Sequence, residues 1–108
     1  MEKDYISNWI VQFKKCVLPL IILDLLIGKD CYGYLLIVMI KDHTGFDISE
    51  GTIYPILNRL HTEGLIEYKW VEQKTGIPRK YYSLTAEGQN TLDLLKQHWN
   101  KINATFKI

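Results

Sequence analysis

The chain has 108 residues, of which 47% are hydrophobic and 23% are charged, and these proportions are those of a single ordinary globular domain. The formal net charge of +1 argues neither for nor against a nucleic-acid partner, but residues 66–108 hold seven Lys and Arg against four Asp and Glu, whereas residues 1–65 hold six against eight. Cys16 and Cys31 form no C-x-x-C pair and are too few for a small secreted disulfide scaffold, so we expect reduced thiols in a cytoplasmic protein.

The N-terminal segment is predicted to be helical. Residues 5–13 carry apolar side chains at helical spacing, and an apolar run follows over residues 17–27. Pro19 cannot donate a backbone hydrogen bond, so the pattern predicts either a kink there or a new helix that starts near Leu18, and Gly28 ends the segment. The apolar run is too short to span a bilayer, so no membrane partner is expected.

A second helix is predicted from Cys31 to about Asp42. Asp30 is the expected cap and Gly45 the terminator. Tyr34 lies in the first turn of this helix. A tyrosine there is either a half-buried rim residue or a phosphate contact, since a helix N-terminus also attracts anions.

The third predicted helix is strongly amphipathic, with Ser49 as its candidate cap and Gly64 as its stop. Its apolar stripe consists of Ile53, Ile56, Leu57 and Leu60. The opposite face carries Glu50, Thr52, Pro55, Asn58, Arg59 and Thr62, which suit base edges and phosphates. Two helices joined by the short loop 45–47 have the order of a helix-turn-helix.

Two alternating strands are predicted next, over residues 65–72 and 79–84, joined by a tip at residues 73–78. Four cations against Glu67 and Glu72 give this hairpin a charge of +2, from Lys69, Lys74, Arg79 and Lys80. A basic hairpin beside a helix-turn-helix is typical of a DNA-binding wing. The alternative is an ordinary solvated charge cluster.

The last predicted helix starts at Thr85 and carries an apolar seam at heptad spacing. The seam consists of Leu92, Leu95, Trp99, Ile102 and Phe106. Polar residues flank it closely, so the stripe is narrow, as in a helix that pairs with another helix. We favour pairing with a second subunit, assisted by the apolar N-terminal segment.

The segments 51–60, 63–66 and 79–88, together with Tyr32-Gly33-Tyr34, resemble the PadR family of bacterial transcriptional regulators. The resemblance covers residues 17–88, and the single terminal helix is similar to the short subfamily. It implies a homodimeric winged helix-turn-helix repressor, commonly induced by small aromatic compounds. The expected fold is mainly α with a small β-hairpin (α+β), with residues 1–84 forming the N-terminal helix and DNA-binding unit and residues 85–108 the dimerisation helix.

The resemblance to the multidrug-responsive branch of the family implies a ligand site on the dimer axis. In that branch a tryptophan on the last helix meets its symmetry mate and stacks flat ligands, and Trp99 lies at the matching distance after Leu84-Thr85. The same cavity would be lined by Phe13, Cys16, Leu20, Leu92, Leu95 and Lys96. The alternative for Trp99 is an aromatic residue of the dimer core that binds no ligand.

Three functions are weighed for the chain. For DNA binding to a double-stranded operator, the candidate residues are Tyr34, Ser49, Thr52, Tyr54, Pro55, Asn58, Arg59, Lys74, Arg79 and Lys80. A winged helix that binds only protein would be expected to carry an apolar anchor on the third helix, which is polar there. An enzyme is the weakest candidate, because His43, His61 and His98 are scattered without metal or triad spacing. No cofactor or metal is expected.

Overall fold

The fold contains four helices and a three-stranded antiparallel sheet in residues 2–106, the part of the chain that the computed structural model describes. The elements are α1 (Glu2–Leu25), β1 (Cys31–Tyr32), α2 (Gly33–Thr44), α3 (Glu50–Thr62), β2 (Ile66–Val71), β3 (Arg79–Leu84) and α4 (Ala86–Thr105). The predicted α+β fold class is confirmed, with the winged-helix order of two helices, a hairpin and a last helix.

The sheet order is β1-β3-β2, so β3 lies in the middle. The hairpin runs in register from the pair Ile66–Leu84 to the pair Val71–Arg79. Ile66 in β2 and Tyr82 in β3 are buried, whereas the β2 residues 67–70 are exposed. Only the base of the hairpin therefore belongs to the core, and the rest projects as a wing.

The prediction that the second helix begins at Cys31 under an Asp30 cap is wrong. Cys31 and Tyr32 form the short strand β1, paired with Tyr82 and Tyr81 of β3. The helix begins at Gly33, after Tyr32 adopts an extended backbone with φ −91° and ψ 164°. The backbone groups of β1 thus find their partners about fifty residues further along the chain, which no local capping pattern can reveal.

Helix α1 is continuous, so the predicted alternative of a new helix that starts near Leu18 is wrong, and the kink at Pro19 stays a prediction. Pro19 lies inside the helix, and its ring nitrogen has no hydrogen to donate to the carbonyl of Lys15, four residues earlier. The second half of α1 compensates by packing, since Leu18, Ile22 and Leu23 are at most 2% exposed. Burial of these side chains is worth several kcal/mol, more than the roughly 3 kcal/mol that a proline costs in an isolated helix.

The length of α1 also bears on the membrane prediction. The segment Lys3–Leu25 is long and apolar enough to cross a bilayer, judged by length and composition alone. The prediction that this part of the chain is too short to span a bilayer considered only the apolar run 17–27, whereas the helix extends further towards the N-terminus than that run. The same helix supplies Leu18 and Ile22 to the core, and a core helix passes this test as readily as a membrane span.

The core lies where α1, α2, α3, the base of the hairpin and the first turns of α4 meet. Its completely buried members include Ile22, Leu23, Cys31, Leu36, Ile40, Ile53, Leu57 and Leu92. The division of the chain at residues 84 and 85 remains a prediction, and it falls between the end of β3 and the cap of α4.

Thr85 ties the end of α3 to the start of α4. Its hydroxyl accepts a hydrogen bond from the N–H of Gly88 (2.9 Å) and donates one to the carbonyl of Gly64 (2.7 Å), and its own N–H donates to the carbonyl of Leu65 (3.1 Å). Gly88 is buried directly against Leu65, where a Cβ would overlap the carbonyl. Helices α3 and α4 are therefore fixed to each other at this corner.

Candidate nucleic-acid interface

Helix α3 turns one face into the core and leaves the opposite face to solvent. Ile53 and Leu57 are completely buried and Leu60 is 6% exposed. Because each residue advances about 100° around a helix, the side chains that point furthest from this stripe are those of Thr62 and Pro55, with Asn58 beside them, and all three are exposed. The predicted recognition face is thus available to a ligand surface.

All six DNA-contact candidates on α3 and its cap are exposed, namely Ser49, Thr52, Tyr54, Pro55, Asn58 and Arg59. Ser49 occupies the predicted cap position, but its side chain makes no capping hydrogen bond to the backbone of residues 2–106. Its hydroxyl lies 3.2 Å from the hydroxyl of Thr52. This pair presents two short polar groups at the start of the recognition helix.

Tyr54 packs against the start of α2. A Cβ added to Gly33 would lie 2.5 Å from the Tyr54 Oη and 2.7 Å from its Cζ, so the phenol occupies the space of the missing side chain. The first turn of α2 and the recognition helix therefore touch through backbone and ring. The glycine of the Tyr-Gly-Tyr sequence at residues 32–34 is thus explained by packing, because a larger residue there would overlap the ring of Tyr54.

Four of the ten candidates, Tyr34, Tyr54, Arg79 and Lys80, line one groove of about 360 Å³ between α2, α3 and the wing. The other lining residues are Tyr32, Gly33, Trp70 and Pro78. The groove holds two cations and the N-terminal end of α2, both of which attract anions. Its geometry suits a phosphate of a nucleic-acid backbone.

Aromatic rings hold the wing cations in place. The guanidinium of Arg79 lies 4.3 Å from the ring centre of Tyr32, and the Lys80 ammonium lies 3.9 Å from that of Tyr68. The rings of Trp70 and Tyr82 are also within 6 Å of the ammonium, at 5.7 and 5.8 Å. Because rings rather than carboxylates orient these cations, their charge remains available to an anionic partner.

The remaining wing candidate is separate from this groove. Lys74 lies exposed in the turn at the tip of the hairpin. A side chain there suits contact with flanking backbone rather than with bases.

Two features of the groove and its surroundings were not predicted. Tyr32 and Trp70 line the groove, although the sequence placed Tyr32 in a helix and treated Trp70 only as one face of a strand. Beside the groove, burial raises the pKa of Tyr82 above its usual 10.0, with smaller contributions from Tyr54 and Tyr68. Cross-strand pairing places Tyr68 opposite Tyr82, and the alternation in β2 and β3 is the signal that could have found this pair.

Arg59 lies on the flank of α3 rather than in the groove of the wing. It lines a second groove of about 470 Å³ between α1, α3 and α4, together with Lys15, Leu60 and Glu63. Tyr54 and Arg59, two of the candidate contacts on α3, therefore border opposite sides of the recognition face.

An apolar cavity of about 390 Å³ lies between α1 and α4. Five of the seven ligand candidates line it, namely Phe13, Cys16, Leu20, Leu95 and Trp99. Its other lining residues are Val17, Pro19, His98 and Ile102, which were not predicted for this site. The Phe13 and Trp99 ring centres are 6.1 Å apart, and Trp9 stacks on Phe13 at 4.9 Å.

The other two ligand candidates lie elsewhere. Leu92 is completely buried in the core, because the first turns of α4 pack on the chain's own helices. The ammonium of Lys96 pairs with the carboxylate of Asp24 on α1. Neither side chain lines the cavity, so the predicted lining is corrected at these two positions.

The cysteines differ in accessibility. Both are free, with Cys16 exposed and Cys31 buried, and burial raises the pKa of the Cys31 thiol. Among residues 2–106, no three His, Cys, Asp or Glu side chains come together in a way that could hold a metal ion.

Comparisons with known proteins agree with the interpretation of this surface as a nucleic-acid interface. The sequence matches the transcriptional regulator PadR-like family over residues 22–94. The fold is similar to that of a PadR-like transcription factor from Bacteroides fragilis, with 38% identity, a TM-score of 0.78 and coverage of 91% of this chain and 94% of that one. It is also similar to a PadR family transcriptional regulator from Eggerthella lenta, with 30% identity, a TM-score of 0.85 and coverage of 95% and 89%. An uncharacterised protein of Lysinibacillus sphaericus is 36% identical over 84 residues, which cover 76% of this chain and 77% of that protein.

Proposed function

The chain belongs to the PadR-like family of transcriptional regulators, and on that premise we propose that it is a homodimeric repressor that binds a specific DNA operator and releases it when a planar aromatic compound binds. Since the members of the family are transcriptional regulators, the prediction that the chain is not an enzyme is confirmed. In this proposal the protein acts in the cytoplasm, on double-stranded DNA.

The groove between α2, α3 and the wing is the observation that carries DNA binding. It brings Arg79, Lys80 and Tyr34 beside the exposed face of α3. We assign α3 to the major groove, with Asn58 towards base edges and the wing cations towards the flanking phosphates. Ser49, Thr52, Tyr54, Pro55, Arg59 and Lys74 are retained as further candidate contacts.

The exposure of the seam on α4 supports a homodimer. Leu92 is buried, but Leu95 is 39%, Trp99 43%, Ile102 58% and Phe106 70% exposed. The seam thus leaves the chain's own core as α4 proceeds. The N-terminal half of α1 is also apolar and exposed, with Tyr5 at 72%, and a second copy would cover both surfaces.

The cavity between α1 and α4 supports an aromatic ligand. It opens beside the uncovered seam, its volume of about 390 Å³ fits a small drug-like molecule, and Phe13 and Trp99 offer faces for stacking. An aromatic pair adds about 0.5–1.5 kcal/mol beyond the burial of area. Contacts of this kind select flatness and apolarity, so we expect broad selectivity.

Selection of bound DNA from a random pool tests the DNA-binding part of the proposal. A two-fold symmetric dimer should enrich a pseudo-palindrome whose half-sites lie about one helical turn, roughly 34 Å, apart. Binding should then be compared between the enriched duplex and a scrambled duplex of equal length at the same salt concentration. Equal affinity for the two would contradict sequence-specific binding.

Fluorescence titration with a flat dye tests the ligand part. Quenching of tryptophan emission should be lost in Trp99→Ala, while Trp70→Phe, a change on the wing, should leave the dye affinity unchanged. Induction further requires that the dye prefer the arrangement that does not bind DNA. Unchanged dye affinity in Trp99→Ala would remove this tryptophan from the site, and dye binding without loss of DNA affinity would separate the cavity from regulation.

A further inference from the structure

The apolar cavity and the groove of Arg59 are neighbours. Pro19 of α1 and Leu95 of α4 line both of them. The cavity, on one side of Pro19 and Leu95, is almost entirely apolar and is bordered by Phe13 and Trp99. The other side reaches α3, the recognition helix, so a ligand that passes Pro19 and Leu95 moves from the dimerisation helices towards the DNA-binding surface.

The groove of Arg59 is chemically different from the apolar cavity. Two cations, Lys15 and Arg59, and one carboxylate, Glu63, line it, so its charged residues sum to +1. Arg59 and Glu63 are four residues apart on α3, yet within residues 2–106 no ion pair joins them. The Arg59 guanidinium is therefore free to bind an anion, and its planar fork of donors matches the two oxygens of a carboxylate.

We propose that this groove is a second subsite for the ligand and that it takes an anionic group, with Arg59 as the principal contact. The expected ligand is an elongated amphiphile, in which a flat apolar ring occupies the cavity beside Trp99 and a linker past Pro19 and Leu95 carries a carboxylate. The inference rests on the proposed function, because it needs the aromatic cavity to bind a ring. It adds a chemical class that the apolar cavity alone does not select.

The same contact gives the ligand a direct way to release DNA. Arg59 is a candidate DNA contact on the flank of the recognition face, and a guanidinium that binds a ligand carboxylate has fewer donors left for a phosphate or a base. Release then needs no large rearrangement. A ring without the anionic group would occupy the cavity but leave Arg59 to the operator.

The test uses dansyl-labelled ω-amino acids with linkers of different lengths, each compared with its own methyl ester. The acid and the ester share ring and linker, and they differ at one end, where the ester has a neutral methyl ester in place of the charged carboxylate. For at least one linker length the acid should bind the wild-type protein about tenfold more tightly than its ester. Arg59→Gln should abolish that advantage, whereas the matched control Lys29→Gln, which removes an exposed cation on the loop between α1 and β1, should keep it. Glu63→Gln should increase the advantage, since it removes the only carboxylate that lines the groove.

The outcomes separate this inference from the proposed function. Esters that bind with the same affinity as the acids, or an advantage that survives in Arg59→Gln, would overturn the anionic subsite while leaving the aromatic cavity in place. Failure of all the probes to bind would overturn both. At equal occupancy the acid should lower affinity for the selected operator about tenfold more than the ester does, and equal loss of affinity would overturn the role of Arg59 in release.

Discussion

Replacing Gly33 by alanine tests the contact between the start of α2 and the recognition helix. In an open helical position this change stabilises a protein by about 0.5–1 kcal/mol, because glycine has more backbone freedom to lose on folding. At Gly33 the added carbon would lie 2.5 Å from the Tyr54 Oη and 2.7 Å from its Cζ. The ring must therefore move.

The cost of moving the ring sets the expected magnitude. Overpacking typically costs about 1–3 kcal/mol, and Tyr54 is 37% exposed, so its ring can swing partly into solvent. After the gain in helix propensity, we expect a net destabilisation of about 1 kcal/mol, which corresponds to about 4 °C in Tm for a domain of this size. Operator affinity should also fall, because Tyr54 and the groove of the wing are displaced together.

Gly51→Ala is the matched control. The nearest atom to a Cβ there, outside the local backbone, is the Ser49 Oγ at an ordinary 3.7 Å, so this variant should be neutral or slightly more stable. Urea denaturation at fixed protein concentration measures both variants, since a dimer's stability depends on concentration. In a Tyr54→Ala background, Gly33→Ala should instead stabilise by about 0.5–1 kcal/mol, giving a coupling of about 1.5–2 kcal/mol. Equal stabilities of the two alanine variants, or a cost that persists without Tyr54, would refute the packing argument.

Three further predictions concern the dimer, the DNA contacts and the response to alkali. Leu95→Asp should sediment as a monomer, because it places an unpaired charge in an apolar interface at a cost of several kcal/mol. Gln97→Asp, on the other side of α4, should stay dimeric, and a wild type that is monomeric at micromolar concentration would contradict the interface. Arg59→Ala should lose about 1–3 kcal/mol of operator binding if Arg59 contacts a base, whereas Lys74→Ala should weaken binding to all duplexes alike and reduce the salt slope by about one. The reverse pattern would assign the base contact to Lys74 and the phosphate contact to Arg59. Since burial raises the pKa of Tyr82 above 10.0, the folded state holds this proton more tightly than the unfolded state, so stability should be fully present below about pH 10 and fall above it. Tyr82→Phe should show a weaker fall in urea denaturation between about pH 9 and pH 11, and an unchanged slope would count against the burial effect.

Local patterns predicted most of the fold. The stripe of Ile53, Leu57 and Leu60 indicated α3, and the bounds of β3 are those predicted from its alternating residues. Strand β1 could not be predicted in this way, because two residues carry no period and their partners on β3 lie about fifty positions away. No new helix starts near Leu18, because burial of the second half of α1 outweighs the local effect of the proline.

The candidate cavity was predicted in part for a similar reason. The heptad spacing on α4 identifies which side chains share a face, but it does not say where that face leaves the core. Leu92 and Leu95 belong to the same stripe, yet the first packs inside the chain and the second borders the cavity. Val17 and His98 line the cavity because of how α1 docks on α4, and that angle depends on tertiary packing alone.

The hydrogen bonds of Thr85 hold the start of α4 in place, so a small tilt of the helix about this point becomes a larger displacement at Trp99. Trp99 lies fourteen residues beyond Thr85, so the lever arm between them is about 21 Å at 1.5 Å per residue. If a bound ring pushed Trp99 aside by about 2 Å, α4 would tilt by about 5° over that arm. Because the carbonyls of Gly64 and Leu65 are bonded to Thr85, the C-terminal end of α3 would turn with it, and in a dimer the two recognition helices would move by equal amounts related by the two-fold axis. An operator with rigidly spaced half-sites should then be released at smaller ligand displacements than one whose central base pairs bend easily.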